Sequence, residues 1–327
     1  MRAIQMNEFG DPQVMRFVDV PVPEPAVREV RVKLHAAGVN PAEAYIRTGT
    51  YAFFKPDLPY TPGFDGAGTV DCVGPGVTHV KAGDRVFVAS LLAKRRTGTY
   101  AEYVVCDADS ARKLPDNFSY AQGAAIGVPG HAAYRALFQR GDLRPSESVL
   151  IHGASGGVGT LAVQMARAHG AFVIGTCGND ESIAYLKQVG VHEALNHSDP
   201  GHYAKILNLT GNAGVNVIME SLANVNLEHD AEIIAKYGRI VVVGNRGSVQ
   251  FTPRLLMMKE ASVLGMALWN SPAVEYSSAI AALSAMLESG VLRPSIGREY
   301  PLEQAVQSHI DVLEKASSKG KIILNIT

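Results

Sequence analysis

The sequence predicts an α/β chain of two domains, a small β-barrel followed by a doubly wound parallel sheet with helices on both faces. Three observations predict it. Residues 1 to about 120 read as many short strands broken by Gly and Pro, and closely spaced strands of this kind suggest a barrel. From about residue 121 strands and helices alternate, the pattern of a parallel sheet covered on both sides. Near that changeover lies Val149-Leu150-Ile151-His152-Gly153-Ala154-Ser155-Gly156-Gly157-Val158-Gly159, an apolar run that meets a glycine-rich turn. A length of 327 residues exceeds what one core usually supports.

The barrel strands are clearest at 30–36, 68–73, 84–88 and 100–105. Pro21, Pro23 and Pro25 suit a strand edge, where a missing N–H is tolerated. The segment from Asn40 to Tyr51 shows no strong periodic pattern and reads as a polar loop. An Ala-rich stretch from Tyr120 to Leu137 reads as one helix. Beyond the glycine turn, strands are expected at 172–176, 194–196, 215–220, 238–244 and 262–266. Helices are expected around 161–168, 182–189, 203–210 and 227–235, then over 274–289, with a further one opening at Tyr300–Ala305. The closing run Lys321–Ile326 reads as a strand that returns to the first domain.

Composition narrows the function. With 47% hydrophobic and 19% charged residues the chain suits a globular protein with ample core. A net charge of −1 gives no general attraction to nucleic acid or an anionic membrane. No apolar run approaches a membrane span, and the opening residues follow a strand pattern instead of a signal peptide. Cys72, Cys106 and Cys177 are too few and too scattered for a disulfide framework or a zinc cluster, which favours a cytoplasmic setting. His131, His152 and His197 lack ligand spacing, so no metal is expected.

The turn carries the chemistry. Ala154-x-Gly156-x-x-Gly159 fits the dinucleotide fingerprint, with alanine replacing the first glycine. Small residues there allow a tight turn, close approach of a pyrophosphate, and close packing of helix on strand. The following helix N-terminus would offer free N–H groups and a partial positive charge to the phosphates. About 20 residues past such a turn, NAD sites place an acid on the ribose hydroxyls. Here Gly178 falls at that place. The missing carboxylate leaves room for a 2′-phosphate and favours NADPH, although no Arg or Lys lies in residues 176–181. Asp180 and Glu181 read as helix-start residues that complement the dipole. Lys94-Arg95-Arg96 reads as a solvated loop.

With these motifs placed, the chain resembles the zinc-free, zeta-crystallin-like NADPH:quinone oxidoreductases of the medium-chain dehydrogenase/reductase superfamily. The resemblance runs from the first strand to the last. It is carried by Gly38-Val39-Asn40-Pro41, residues 45–51, Leu58–Gly63, Gly123–Gly127, His152–Gly159, Ser221–Leu227 and Val242–Gly247. It implies a GroES-like domain over residues 1–124 and 268–327 and a Rossmann domain over 125–267. Zinc-dependent relatives carry a cysteine where this chain has Asn40, and Gly-His-Glu at Gly63-Phe64-Asp65. Without a Lewis acid, hydride transfer needs an acceptor that is already electrophilic, such as a quinone or enone.

The resemblance also implies site residues. Ser155, Gly156, Gly157 and Val158 would hold the pyrophosphate; Gly178 and His197 would lie near the adenosine end and Asn226 beside the cofactor. Val243, Gly244, Asn245, Arg246, Met266, Ala267 and Leu268 would flank the nicotinamide side. Asn40, Tyr45 and Tyr51 would line the cleft between the domains and act on the acceptor, with Tyr45 also touching the cofactor. The chain departs from the pattern at Phe64 and at Gly130-His131-Ala132, changes expected to reshape the acceptor pocket, and His131 is a residue that would titrate. Ser182 stands where some bacterial relatives use a lysine for the 2′-phosphate. The implied function is NADPH-dependent quinone reduction by a homodimer or homotetramer, with enone or alkenal reduction as its neighbour. An RNA-binding or structural, crystallin-like role is the alternative of another class. It rests only on Lys94-Arg95-Arg96 and Lys315, Lys319 and Lys321, and the net charge predicts at most weak, salt-sensitive binding.

Overall fold

The computed structural model describes residues 1–314 and 319–326, so Lys315 of the basic tail lies outside the described residues. The chain forms two compact units, one of Met1–Pro129, Leu283–Glu288 and Arg293–Thr327, the other of Gly130–Ala282 and Ser289–Leu292. Expected boundaries at 124/125 and 267/268 compare with changeovers at 129/130 and within the helix Ala273–Glu288. The first half of that helix has its partners in the second unit. The Arg135 guanidinium pairs with Glu275, Gln139 Nε2 donates to the Glu275 carbonyl at 2.7 Å, and the His131 ring packs on Tyr276.

The first unit opens with β1 (Arg2–Gln5), β2 (Arg16–Asp19), β3 (Glu29–Val39), β4 (Asp65–Val73), β5 (Arg85–Ala89), β6 (Tyr103–Asp107) and β7 (Ala111–Lys113). The second contains β8 (Ser148–Ile151), β9 (Phe172–Cys177), β10 (Glu193–Asn196), β11 (Val215–Glu220), β12 (Ile234–Val242) and β13 (Ser262–Gly265). The tail returns β14 (Ile296–Pro301) and β15 (Lys321–Asn325) to the first unit.

The 11-residue β3 is the spine of the first unit. One edge pairs with β4 along its length, and the other is divided between β6, on Glu29–Lys33, and β15, on Ala36–Val39. Val30, Val32, Leu34, Val86, Val88, Val104 and Leu324 pack in one apolar cluster. As expected of a final strand that follows helices, β15 rejoins this sheet, pairing with β3 on one side and β14 on the other. The neighbouring β14 is a correction, because Tyr300 lies in a strand instead of opening a helix. Its burial alternates between half-buried and exposed, which suits an outer strand with weak apolar patterning. The helix follows at Ala305–Glu314.

The second unit is a six-stranded sheet in the order β10-β9-β8-β11-β12-β13, with every neighbouring pair parallel. Strand order reverses between β8 and β11. Ile174, Leu150, Ile218 and Ile240 are register partners across four neighbouring strands, and each is fully buried. Burial on both faces explains why these strands read as continuous apolar runs.

Two helical expectations are corrected. Residues 40–51 are not all loop, because α1 (Pro41–Arg47) forms there with Asn40 as its N-cap. Glu43 Oε2 accepts the Asn40 N–H at 2.8 Å and Pro41 occupies the first position, so Asn-Pro-x-Glu is itself a helix-start signal. The stretch 120–137 is broken into α2 (Tyr120–Gly123), α3 (Gly127–Tyr134) and a wider-turned segment over Arg135–Arg140. The break lies between two glycines that approach the sheet. A Cβ on Gly123 would come within 2.7 Å of the Ala67 Cβ, and one on Gly127 would strike Asp65 Oδ1. Among the described residues no helix is long and apolar enough to cross a membrane.

Gly127→Ala is expected to lower stability by about 1–3 kcal/mol, since Asp65 must move and surrender the Val128 N–H it accepts at 2.7 Å. Urea unfolding against wild type measures this; an unchanged midpoint would show that the close approach is dispensable.

Candidate active site

In the second unit every residue expected to hold a cofactor lies at the carboxyl end of a parallel strand. After β8 the chain turns through Gly153 (φ 64°) and Ala154, whose N–H bonds the Thr176 carbonyl at 2.9 Å. It then enters α4 (Gly157–Ala168) with Gly156 as N-cap. Gly159 explains the close helix–strand packing, because a Cβ there would stand 2.5 Å from the Ala154 Cα. Gly156 is different. A Cβ there would meet only the Gly153 carbonyl, at an ordinary 3.5 Å, so nothing in the chain itself needs glycine at this point. Ser155 is buried, and Gly156, Gly157 and Val158 are half-buried. The first amides of α4 lack intrahelical acceptors and face this space.

Gly178 follows β9, and a Cβ there would approach only the His197 ring, at 3.6 Å. His197 is exposed, with its N–H on the Cys177 carbonyl. Burial of part of the ring, with His152 and His202 nearby, holds its pKa below the ordinary value. Asn179 caps α5 (Asp180–Val189) by accepting the Ser182 N–H at 2.9 Å, and Asp180 accepts from Asn196 Nδ2 at 3.1 Å. The acids here serve the helix start, as the sequence indicated. Ser182 is fully buried, and its hydroxyl has no hydrogen-bond partner among the described residues.

Beyond β11, Asn226 lies on α7 (Ala223–Ile233). Its Nδ2 donates to Glu220 Oε1 at 3.2 Å and its Oδ1 accepts the Tyr203 hydroxyl at 3.4 Å. After β12, the N–H groups of Val243 and Gly244 bond the Glu220 carbonyl at 2.7 and 3.3 Å. Gly244 admits no Cβ because the Ser221 carbonyl occupies that place. The Arg246 N–H is held by Asn224 Oδ1 at 2.9 Å, and Asn245 Nδ2 by the Gly247 carbonyl at 2.6 Å. Met266, Ala267 and Leu268 follow β13, with the Met266 N–H on the Val242 carbonyl. Two of these ends, after β8 and at β11, meet helix α7 in a buried trio that sequence reasoning missed, His152, Glu220 and Asp230. His152 stood inside the glycine motif, but its partners lie 68 and 78 positions away and left no local signal. His152 Nε2 lies 2.8 Å from Asp230 Oδ1 and 3.5 Å from Glu220 Oε2.

In the first unit Asn40 is the centre of a buried polar network. Its Nδ2 donates to Asp65 Oδ2 at 2.9 Å and to Glu43 Oε1 at 3.1 Å, and its Oδ1 accepts from the Lys321 ammonium. Lys321 also lies 3.4 Å from Asp65 Oδ2. Glu43 additionally accepts the Phe64 N–H at 3.2 Å and the Tyr100 hydroxyl at 2.7 Å. Desolvation raises Glu43 to about 7, raises Asp65, and lowers Lys321, each opposed in part by the charges facing it. Asn40 thus has both side-chain N–H groups engaged and caps the start of α1, while its expected role toward the acceptor stays an expectation. Tyr45, on α1, and Tyr51, against the Phe53 ring at 5.5 Å, are half-buried and keep that role as expectations.

Other expectations are corrected by burial. Phe64 is fully buried between Phe54 and the Arg96 guanidinium, so it does not face a ligand. Gly130, His131 and Ala132 are buried in the second unit. Desolvation, then Arg135, holds His131 at about 4, so it stays neutral near pH 7. The basic run is only partly a solvated loop, because Arg96 lies over two aromatic rings at 4.9 and 5.0 Å. With Lys321 buried as well, the RNA-binding alternative loses two of its cations.

Residues 26–116 match the alcohol dehydrogenase GroES-like domain, and residues 157–285 match the zinc-binding dehydrogenase domain. The quinone oxidoreductase of Rattus norvegicus is 46% identical over 99% of this chain and 97% of its own length. The chain belongs to the quinone oxidoreductase family. Family members include the Escherichia coli quinone oxidoreductase, whose structure complexed with NADPH superposes with a TM-score of 0.87, 31% identity and full coverage of both chains. An NAD-dependent alcohol dehydrogenase structure gives a TM-score of 0.91, also at 31% identity and full coverage of both chains. As a quinone oxidoreductase family member the chain is an oxidoreductase with a GroES-like domain and a Rossmann-type sheet. The zinc named in the second domain's description finds no suitable donor set at Asn40, Phe64 and Asp65. They offer an engaged amide, a phenyl ring and a carboxylate already paired with Lys321, where zinc prefers thiolate and imidazole.

Two substitutions separate binding from folding. Gly156→Asp should leave thermal stability within about 1 kcal/mol of wild type, as expected for a surface site without strain, while removing dinucleotide binding. Gly159→Ala should instead destabilise the fold by about 1–3 kcal/mol. Fluorescence titration with NADPH and thermal melts of both variants read this out. Retained affinity in the Gly156→Asp protein would refute the placement of the pyrophosphate.

Proposed function

We propose that the protein reduces quinones with NADPH and without zinc. The observation that carries the dinucleotide is the spare volume at Gly156, set at the N-terminus of α4 and at the strand-order reversal, where ligands of such sheets bind. Ser155, Gly156, Gly157 and Val158 would hold the pyrophosphate through backbone N–H groups. The remaining contacts are assigned to Gly178, His197, Asn226, Val243–Arg246 and Met266–Leu268. NADPH is preferred over NADH because Gly178 presents no carboxylate and Asp180 is occupied by Asn196. The 2′-phosphate would then rest on neutral donors, since residues 176–182 hold no Arg or Lys.

When bound, the dinucleotide supplies the hydride. The chain's own part is positioning. The Tyr45 and Tyr51 rings offer stacking surface, and their hydroxyls a donor to the acceptor oxygen. An acceptor that is already electrophilic needs no Lewis acid, which fits an Asn40–Asp65–Lys321 cluster with no zinc donor set. The quinone class is supported by the relatives' names and by 46% identity to the Rattus norvegicus protein.

The protein is also proposed to work as a homodimer or homotetramer. Strand β13 ends its sheet with Val263 36% exposed, and Met257 and Met258, a few residues earlier in the chain, are 74% and 73% exposed. An open strand edge beside apolar side chains is a pairing surface.

NADPH oxidation should therefore be rapid with ortho- or para-quinones, slower with alkenals, and slower with NADH than with NADPH. Tyr51→Ala should lower quinone turnover about tenfold or more while NADPH affinity and melting temperature hold. No turnover across a quinone panel would overturn the assignment, and a faster alkenal rate would move it to double-bond reduction.

Val263→Lys should shift the mass measured by light scattering toward the monomer. A wild-type monomer, or a variant of unchanged mass, would remove the edge-pairing proposal.

A further inference from the structure

Glu220 and Asp230 are fully buried, and a carboxylate oxygen of each lies within 4.8 Å of the other and of a His152 ring nitrogen. Two ionised carboxylates buried this close repel each other, and a proton on one of them relieves that repulsion. The remaining contacts show where it goes. Glu220 Oε1 accepts the Leu222 N–H and the Asn226 amide, and Asp230 Oδ1 lies 2.8 Å from His152 Nε2. Glu220 Oε2, 3.5 Å from His152 Nε2, and Asp230 Oδ2 are then the two oxygens of the pair left without a hydrogen-bond partner among the described residues. We propose that Glu220 is a neutral acid whose Oε2–H donates to Asp230 Oδ2, and that this shared proton positions the Leu222–Asn226 segment for the dinucleotide.

One proton satisfies the whole chain of contacts. Thr176 Oγ1–H donates to His152 Nδ1 across 3.2 Å, His152 Nε2–H to Asp230 Oδ1, and Glu220 Oε2–H to Asp230 Oδ2. Glu220 Oε1 is left free to accept two N–H groups. The cluster carries a single negative charge, spread over Asp230. The His152 carbonyl also accepts the Ser221 hydroxyl at 3.2 Å, so the cluster ties the glycine turn to the loop after β11. Desolvation, the largest influence on each group, pushes Glu220 to about 8 and Asp230 to about 7, and lowers His152. The other titratable groups facing the cluster are His197 after β10, His202 and Tyr203 on the helix His202–Leu209, and His229 and Glu232 on α7. Burial lowers His197 and His202 and raises Tyr203, so these three remain uncharged near neutral pH. Glu220, Asp230 and His152 are positioning residues, because they act through Leu222 and Asn226. The proposal rests on the reading of these strand ends as the dinucleotide site.

Loss of the proton sets two buried carboxylates against each other and frees the segment. Binding then requires the protonated form, and apparent affinity falls with its population. The sign follows from a pKa raised in the folded protein. The stability that Glu220 contributes is complete below its unfolded value of about 4.5 and is lost as pH rises through about 8. A glutamine reproduces the neutral acid, since its amide donates to Asp230 and its carbonyl accepts from Leu222 and Asn226.

The test measures NADPH affinity by fluorescence, and melting temperature without cofactor, from pH 6 to 9.5, for the full chain and for Glu220→Gln. Wild type should bind about tenfold more weakly at pH 9 than at pH 7. Glu220→Gln should keep the pH 7 affinity within about threefold, stay flat to pH 9.5, and lose melting temperature less steeply with pH. Parallel affinity and melting profiles in the two proteins would overturn the shared proton. Divergent melting profiles with no NADPH binding at any pH would refute the dinucleotide reading, and the positioning role with it.

Discussion

Helix α4 packs closely on the turn after strand β8 because Gly159 has no side chain, and the dinucleotide reading of the second unit depends on that contact. A Cβ at this position would stand 2.5 Å from the Ala154 Cα and from the Gly153 carbonyl oxygen. The approach aims the α4 N-terminus along the carboxyl edge of the sheet and leaves open volume at Gly156. Its neighbours obey similar restrictions. Gly175 accommodates the Ala154 methyl, and Gly244 accommodates the Ser221 carbonyl. Glycines needed for packing are thereby distinguished from Gly156 and Gly178, whose missing side chains leave space the fold itself does not use.

Both units solve a second problem, the burial of charge, in different ways. In the first, Lys321 stands between Asn40 and Asp65, with Glu43 one amide away, so opposite charges share the cost of desolvation. The network joins the last strand to the start of α1. In the second, no Lys or Arg enters the trio of His152, Glu220 and Asp230, and a proton takes the place of a cation. Neutralising by a proton makes the site sensitive to pH, where neutralising by a lysine does not.

Much of the fold was legible in the sequence because its signals are local. Continuous apolar runs marked the parallel strands, and Ala154-x-Gly156-x-x-Gly159 with its flanking strand and helix marked the turn. The errors have the same origin. Asn-Pro-x-Glu at 40–43 was a readable helix start that the polar loop composition obscured. The break at 124–126 depends on how closely Gly123 and Gly127 approach strands β4 and β5, and no local pattern records that. Roles that depend on burial were the least legible. Asn40, Phe64 and His131 each have a side chain suited to ligand chemistry, but the fold encloses all three. Glu220 and Asp230 went unnoticed because their partner His152 is distant in sequence and their place inside an apolar strand and helix gave no signal.

The central claim is that the carboxyl edge of the parallel sheet holds the dinucleotide. Hydrogen–deuterium exchange with and without saturating NADPH tests it across the whole chain in one measurement. Protection is expected in the backbone around 153–160, 176–180, 221–227 and 243–247, with the inner strands of the first unit unchanged. Binding that leaves those four segments unprotected, or protects only the first unit, would contradict the account.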